Sequence, residues 1–153
     1  MKNLLPLFLI SLVLLLACQS TPQRRSSDPA IHELTEYALS LQGTPYRYGG
    51  TSPDSGFDCS GFVVHVFRHS LGKTLPRSSA DISHMGVSQQ LASLKPGDLV
   101  FYNTLHKPYS HVGIYLGDDQ FIHSPSSGKS VSIVNMNDAY WRTRYNGARR
   151  LRP

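Results

Sequence analysis

The chain reads as one α+β domain: helices first, then an antiparallel sheet of five to six strands packed against the second helix. Three observations lead there. Two segments in the first half carry apolar residues at helical spacing. From Leu94 onwards the pattern changes to short apolar runs separated by Gly, Pro and Asp turns. And 153 residues, 40% hydrophobic and 16% charged, make a single domain of ordinary globular composition, well away from disorder.

The first residues are not part of that domain. Met1-Lys2-Asn3 is a short, weakly positive start, and an apolar run follows from Leu4 to Leu16. The run is short for a bilayer span and ends in Leu15-Leu16-Ala17-Cys18. It resembles a bacterial lipoprotein signal, with 1–17 removed and lipid on Cys18, although Leu16 is bulkier than usual there. An ordinary secretory signal with an incidental cysteine is the alternative. Residues 18–28 then form the lipidated cysteine and a flexible tether, polar from Gln19 to Ser27. Those nine residues reach at most roughly 30 Å. Two cysteines in an exported chain would otherwise invite a disulfide. Lipid on Cys18 leaves Cys59 as a free thiol.

Asp28-Pro29 has the form of an N-cap followed by proline at the first helical position. Ile31, Leu34, Ala38 and Leu41 keep helical spacing, and Gly43 closes the helix. A turn-rich stretch follows, Gly43-Thr44-Pro45-Tyr46-Arg47-Tyr48-Gly49-Gly50 and then Ser52 to Gly56. In the second helix Phe62, Val63, Val66, Phe67 and Leu71 form an apolar stripe, and Gly72 marks its end. Leu75 to Ser79 is a loop, and Ser79 to Met85 a short helix. Strands are expected at Leu99–Tyr102, His111–Leu116, Gln120–His123 and Val131–Val134. A helical or bent segment is expected over Tyr140–Tyr145, and a last strand over Gly147–Leu151.

Asp58 is a good N-cap for the second helix, which places Cys59 at its first position. Free backbone N–H groups and the positive end of the helix dipole favour an anion there, so the thiol is expected to ionise more readily than a free cysteine. A thiolate is the nucleophile of cysteine peptidases. Read by position alone, packing in the core is the rival role for Cys59.

The nucleophile needs a base, and the chain has seven histidines. His65, His69 and His84 lie on or near helices and read as surface residues, and His32 and His106 as solvated ones. His111 and His123 differ, since each ends a strand of one hairpin. With Gly117-Asp118-Asp119 as a three-residue loop, Leu116 pairs with Gln120. His111, Gly113, Tyr115, Phe121 and His123 then share a face, and Gly113 leaves room between the imidazoles. A two-residue Asp118-Asp119 loop would put the histidines on opposite faces. Two histidines with no nearby Asp, Glu or Cys make a poor zinc site, so no metal is expected.

The formal charge is +5, or +4 once Lys2 is removed, with Arg142, Arg144, Arg149, Arg150 and Arg152 near the end. We read these as a solvated basic edge rather than a nucleic-acid face. Carboxylate-rich polymers also suit such a surface.

Asp58-Cys59-Ser60-Gly61-Phe62-Val63, Pro96-Gly97-Asp98-Leu99-Val100-Phe101, His111-Val112-Gly113-Ile114-Tyr115 and Phe121-Ile122-His123 together resemble the NlpC/P60 family of cell-wall cysteine peptidases. The Gly43–Gly50 segment and Leu75-Pro76-Arg77 match in order and spacing. The likeness runs from about Ile31 to Leu151. It implies a papain-like NlpC/P60 fold and a catalytic domain over 29–153. It also implies Cys59 as nucleophile, His111 as general base and His123 as the residue orienting it. Tyr46 would stabilise an oxyanion with the Cys59 backbone N–H. Asp58, Ser60 and Arg77 would line the substrate groove, although capping alone explains Asp58 and an ion pair alone would explain Arg77. Asp98 reads as turn chemistry.

The implied reaction is hydrolysis of an amide in a peptidoglycan stem peptide, either D-Glu–diaminopimelate or a D-Ala–diaminopimelate cross-link. No cofactor is required, and a monomer is expected. The lipid on Cys18 would hold the domain at a membrane, and Gln19 after it favours the outer membrane, facing the periplasm. Acyl or peptidyl transfer on the same scaffold, or a non-catalytic wall-associated lipoprotein, are the rival functions. Product analysis separates the first, and Cys59→Ala the second.

Overall fold

A computed structural model describes residues 28–153. The expected signal over 1–17, Cys18 and the tether up to residue 27 lie outside the described residues.

Helix α1 spans Pro29–Ser40, with the Asp28 carboxylate accepting the Ala30 N–H. It closes at Leu41, two residues before Gly43. Leu34 and Ala38 are fully buried against the rest of the core. The turn-rich stretch contains a small ladder, β1 (Thr51–Ser52) against β2 (Gly56–Phe57). Helix α2 spans Cys59–Leu71 and ends at Gly72 in the left-handed conformation, φ 62°. There the Gly72 and Lys73 N–H groups return to the carbonyls of Arg68 and Phe67, the usual glycine closure of a helix. Phe62, Val63, Val66 and Phe67 are buried, as the stripe requires. Gly61 has no side-chain alternative, because a Cβ would fall on the Gly50 carbonyl oxygen.

Helix α3 (Ser79–Ile82) leads to β3 (Val87–Gln89), a strand the apolar pattern did not announce. Then come β4 (Leu99–Tyr102), β5 (His111–Gly117), β6 (Gln120–His123), β7 (Ser132–Asn135), α4 (Ala139–Arg142) and β8 (Tyr145–Arg150). The six strands from β3 to β8 form one antiparallel sheet in the order β3-β8-β4-β5-β6-β7. The strand count and α+β class match the expectation, with β3 completing the sixth strand.

The sheet separates two apolar layers. Leu99, Phe101, Val112, Ile114 and Ile122 pack with α1 and α2. Val100, Tyr102, Tyr115, Phe121, Met136 and Ala148 pack with Trp141 on the other side. Alternation along β4, β5 and β6 produces this division, with successive side chains leaving opposite faces.

The β5–β6 hairpin has the two-residue loop, and Gly117 rather than Leu116 stands opposite Gln120. The turn has two residues, Asp118 and Asp119, both at positive φ (49° and 58°), as a type I′ turn demands. Taken alone, that loop would put the histidines on opposite faces. A bulge offsets it. Tyr115 pairs with Phe121 and Gly117 with Gln120, so Leu116 is an extra residue on β5. Beyond the bulge, Ile114 faces Ile122, the register that a three-residue loop would have set. Gly113 also has a different role from the expected one. Its Cβ would strike the Phe121 ring at 2.5 Å, so the glycine makes room for Phe121.

Two further expectations change. His65 is half-buried rather than a surface residue: its Nε2 lies 2.8 Å from the Tyr37 hydroxyl and its ring packs on Phe57. Asp98 is fully enclosed. It accepts the Lys95 N–H, as turn chemistry requires, and also binds Arg150 through two 2.7 Å contacts.

Candidate active site

Asp58 enters α2 in an extended conformation, and its Oδ1 accepts the Gly61 N–H at 2.7 Å. Cys59 is therefore the first helical residue, as the cap predicts. The same carboxylate has further partners. Gly49 N–H donates to Oδ2 at 3.0 Å, and Arg77 makes a two-pronged contact at 3.0 and 2.6 Å. Ser60 Oγ accepts from Arg77 at 2.8 Å and lies 3.4 Å from Asp58 Oδ1. Asp58, Ser60 and Arg77 thus direct their polar atoms chiefly at one another, fixing the turn before Cys59. About half of the Arg77 side chain stays exposed to the cavity.

The thiol does not behave as its position suggested. Its pKa is raised above the ordinary thiol value, first by burial and then by the Asp58 carboxylate. Backbone N–H groups of Val112, Ser60 and Cys59 pull it down, but burial wins. At neutral pH the resting group is a thiol.

His111 opens β5 and His123 closes β6, and both are buried. His111 Nε2 lies 2.7 Å from His123 Nδ1, with the rings nearly perpendicular. One ring must donate and the other accept, so the pair cannot be fully protonated. Both pKa values are lowered, that of His111 to about 4, with burial the leading cause. With Nε2 committed to His123, Nδ1 is the remaining nitrogen of His111. For Nδ1 to accept a proton, Nε2 must be the donor in the His–His bond, and His123 must carry its own hydrogen on Nε2.

One cavity of about 900 Å³ is lined by Tyr46, Asp58, Cys59, Ser60, Arg77, His111 and His123. All seven site residues expected from the sequence within the described part of the chain meet there. Tyr46 is half-buried, and its phenol pKa is raised by burial and then by Cys59 and Asp58 nearby. Cys18 lies outside the described residues. Among those described, no three His, Cys, Asp or Glu side chains are gathered as a metal would need. The arrangement joins a protonated sulfur, a neutral imidazole with one free nitrogen and a phenol. That set can support general-base attack on a carbonyl.

The NlpC/P60 family profile matches residues 43–150, most of the chain. The chain belongs to the NlpC/P60 family. Among its relatives is the Escherichia coli murein DD-endopeptidase MepS/murein LD-carboxypeptidase, 42% identical over 83% of this chain and 65% of MepS. Escherichia coli murein DD-endopeptidase MepH is 39% identical over 71% of this chain and 41% of MepH. A crystal structure of an NlpC/P60 family protein from Bacillus cereus superposes with a TM-score of 0.76 at 38% identity, covering 82% of this chain and 41% of the other. The chain spans between about two fifths and two thirds of these proteins' length.

Three residues of this NlpC/P60 domain escaped the sequence reading. Trp141 of α4 stacks on His111 with ring centroids 5.6 Å apart and lines the cavity. A lone tryptophan beside an irregular segment was the available signal. Ser124 donates from Oγ to the Phe57 carbonyl at 2.7 Å, in a fully buried setting. Its position next to His123 was visible, but its partner, far away in sequence, was not. Lys129 lines the cavity and acts electrostatically on His123, lowering its pKa. Nothing in the sequence marked it out.

Proposed function

We propose that this domain is a cysteine peptidase that hydrolyses peptidoglycan stem-peptide amides. The observation that carries the reading is the His111–His123 hydrogen bond in the cavity that also holds Cys59. The names of MepS and MepH favour the D-Ala–diaminopimelate cross-link as the scissile bond.

In this mechanism His111 Nδ1 takes the thiol proton as Cys59 sulfur attacks the amide carbonyl. The tetrahedral oxyanion is met by the Cys59 backbone N–H and the Tyr46 hydroxyl. The C–N bond breaks as His111 returns the proton to the leaving amine, and a thioester remains. Water then attacks the thioester, giving its proton to His111. The C–S bond breaks, and the proton returns to sulfur as the acid is released. His123 holds His111 in the tautomer that leaves Nδ1 free. Asp58, Ser60 and Arg77 shape the groove beside the nucleophile, and the exposed half of Arg77 is available to a substrate carboxylate. The neutral resting pair supports a reading of His111 as a base acting during attack, rather than as the partner of a preformed thiolate.

Two finer readings complete the proposal. Cys18 carries lipid after removal of 1–17, and Gln19 behind it directs the protein to the outer membrane, facing the periplasm. The domain acts as a monomer. The Leu15-Leu16-Ala17-Cys18 sequence supports the anchor. Labelling with a radioactive fatty acid tests it: the label should appear on the wild-type chain, and incorporation into Cys18→Ala would refute it.

The activity is tested by digesting defined muropeptides with the domain and with Cys59→Ala, followed by mass analysis. Hydrolysis adds one water across the cleaved amide. Identical fragments from the two proteins would remove the peptidase reading, and a new amide in place of water addition would identify a transferase.

A further inference from the structure

The chain has one tryptophan, and its ring is in contact with both histidines. The Trp141 indole lies over His111 with planes only 29° apart, and His123 meets it nearly perpendicular at a centroid distance of 4.9 Å. Behind it, Tyr102 and Phe121 hold the indole edge-on at 5.0 and 5.1 Å. These contacts fix the ring from several sides. Trp141 nevertheless stays half-buried and lines the cavity together with both histidines, so its face covers part of the imidazole pair there.

We propose that Trp141 is the positioning residue of the histidine pair: its indole face fixes the plane of His111 and keeps water from the His111–His123 hydrogen bond. The proposal rests on reading His111 as the base for Cys59, and it deepens that reading.

The physical case is one of solvation. A hydrated imidazole protonates near its ordinary value of about 6.5 and then has no lone pair for a thiol proton. The groups surrounding the pair offer little electrostatic substitute for dryness. Cys59 on α2 is a neutral thiol at rest, and Tyr102 on β4 is a neutral phenol. Lys129, before β7, pushes His123 further down. Asp58 and Arg77 also line the cavity and pair with each other, and α4 with its cap brings Asp138 and Tyr140 to the lining. None of these carboxylates is a cause of either histidine's shift. Burial is therefore what holds His111 neutral, and the stacked indole supplies part of that burial.

The test uses two readouts besides turnover. Protonated imidazole quenches an indole in contact with it. Emission from the single tryptophan should therefore step with pH at the midpoint of His111 followed by proton NMR, well below 6.5. Trp141→Phe should keep that midpoint low. Trp141→Ala should raise it by at least about one unit, with circular dichroism reporting the fold. With the midpoint raised all the way to about 6.5, its kcat should be about tenfold lower at pH 5.5 than at pH 8, with KM little changed. A folded Trp141→Ala protein with an unmoved His111 midpoint would overturn the proposal. So would wild-type emission that fails to respond where His111 titrates, and this second measurement decides the matter if Trp141→Ala does not fold. Absence of any peptide hydrolysis would instead count against the peptidase reading, since neither titration depends on turnover.

Discussion

Ser124 Oγ donates a 2.7 Å hydrogen bond to the Phe57 carbonyl oxygen, inside the protein and across 67 positions of sequence. Ser124 follows His123, and Phe57 precedes the Asp58 cap. The bond therefore joins the end of the histidine hairpin to the start of the nucleophile helix.

Removing that tie should cost activity out of proportion to stability. Ser124→Ala removes one of two donors to the Phe57 carbonyl, which keeps the Arg47 N–H, a loss of about 0.5–1.5 kcal/mol. We expect kcat to fall by about tenfold or more, because small misplacements of reacting groups are expensive. Chemical denaturation and muropeptide turnover, measured on the same sample, check this. Unchanged kcat in a destabilised protein would mean that the bond serves folding alone.

Acid should destabilise the domain through its histidines. His111 and His123 are held below 6.5, so between pH 6.5 and about 4 the unfolded chain binds more protons than the folded one. Stability then falls as pH drops through that window, by about 3 kcal/mol from His111 alone. Thermal melts from pH 7.5 to 4 should show the decline. A double His111→Gln, His123→Gln variant should flatten it.

Cys59 should titrate above an ordinary thiol. Burial and Asp58 raise its pKa, so thiolate absorbance in the ligand-free protein should develop only above about pH 9. Alkylation by iodoacetamide at pH 7 should be slower than that of a free cysteine. A midpoint near neutrality would mean a preformed ion pair with His111, and the base role proposed here would need rewriting.

Asp98→Ala should be among the more damaging substitutions outside the cavity. It strands Arg150, whose side chain is about a third exposed, and frees the Lys95 turn. Breaking a buried pair costs about 3–5 kcal/mol, and the exposure of Arg150 brings the expectation to about 3. Urea denaturation measures it. Double replacement of Asp98 and Arg150 by apolar residues should recover part of the loss.

Deleting Leu116 should leave the histidine pair in register. Leu116 is the extra residue, so its removal keeps Gly117 opposite Gln120, Tyr115 opposite Phe121 and Ile114 opposite Ile122, and His111 and His123 stay on one face. Turnover should stay within about tenfold of the wild type. Turnover at the level of Cys59→Ala would show that the bulge itself positions His111.

The sequence made the local features legible. Asp28 and Asp58 cap their helices, Gly72 closes α2, and the apolar stripe of α2 is buried, because these depend on neighbours within a turn or two. That the seven described candidate residues share one cavity was legible for a mixed reason: motif spacing supplied identities, and strand alternation placed the two histidines. Long-range physics was not legible. β3 is a three-residue strand of exposed or half-buried residues and announces nothing, since only pairing with β8 makes it one. The bulge at Leu116 follows from a contest between an I′ turn and the burial of two faces. The raised thiol pKa depends on how much protein closes over the sulfur, a quantity that a helix-start position alone underestimates. His65 was misplaced for the same reason, as α1 covers it.

The protonated resting state of Cys59 has a consequence for how the protein survives. Peroxide and disulfide exchange both act on the anion, so a nucleophile kept neutral until a carbonyl arrives is slow to form sulfenic acid or mixed disulfides. An unpaired cysteine can thus endure where most exported thiols are oxidised, becoming reactive only when its target is in place.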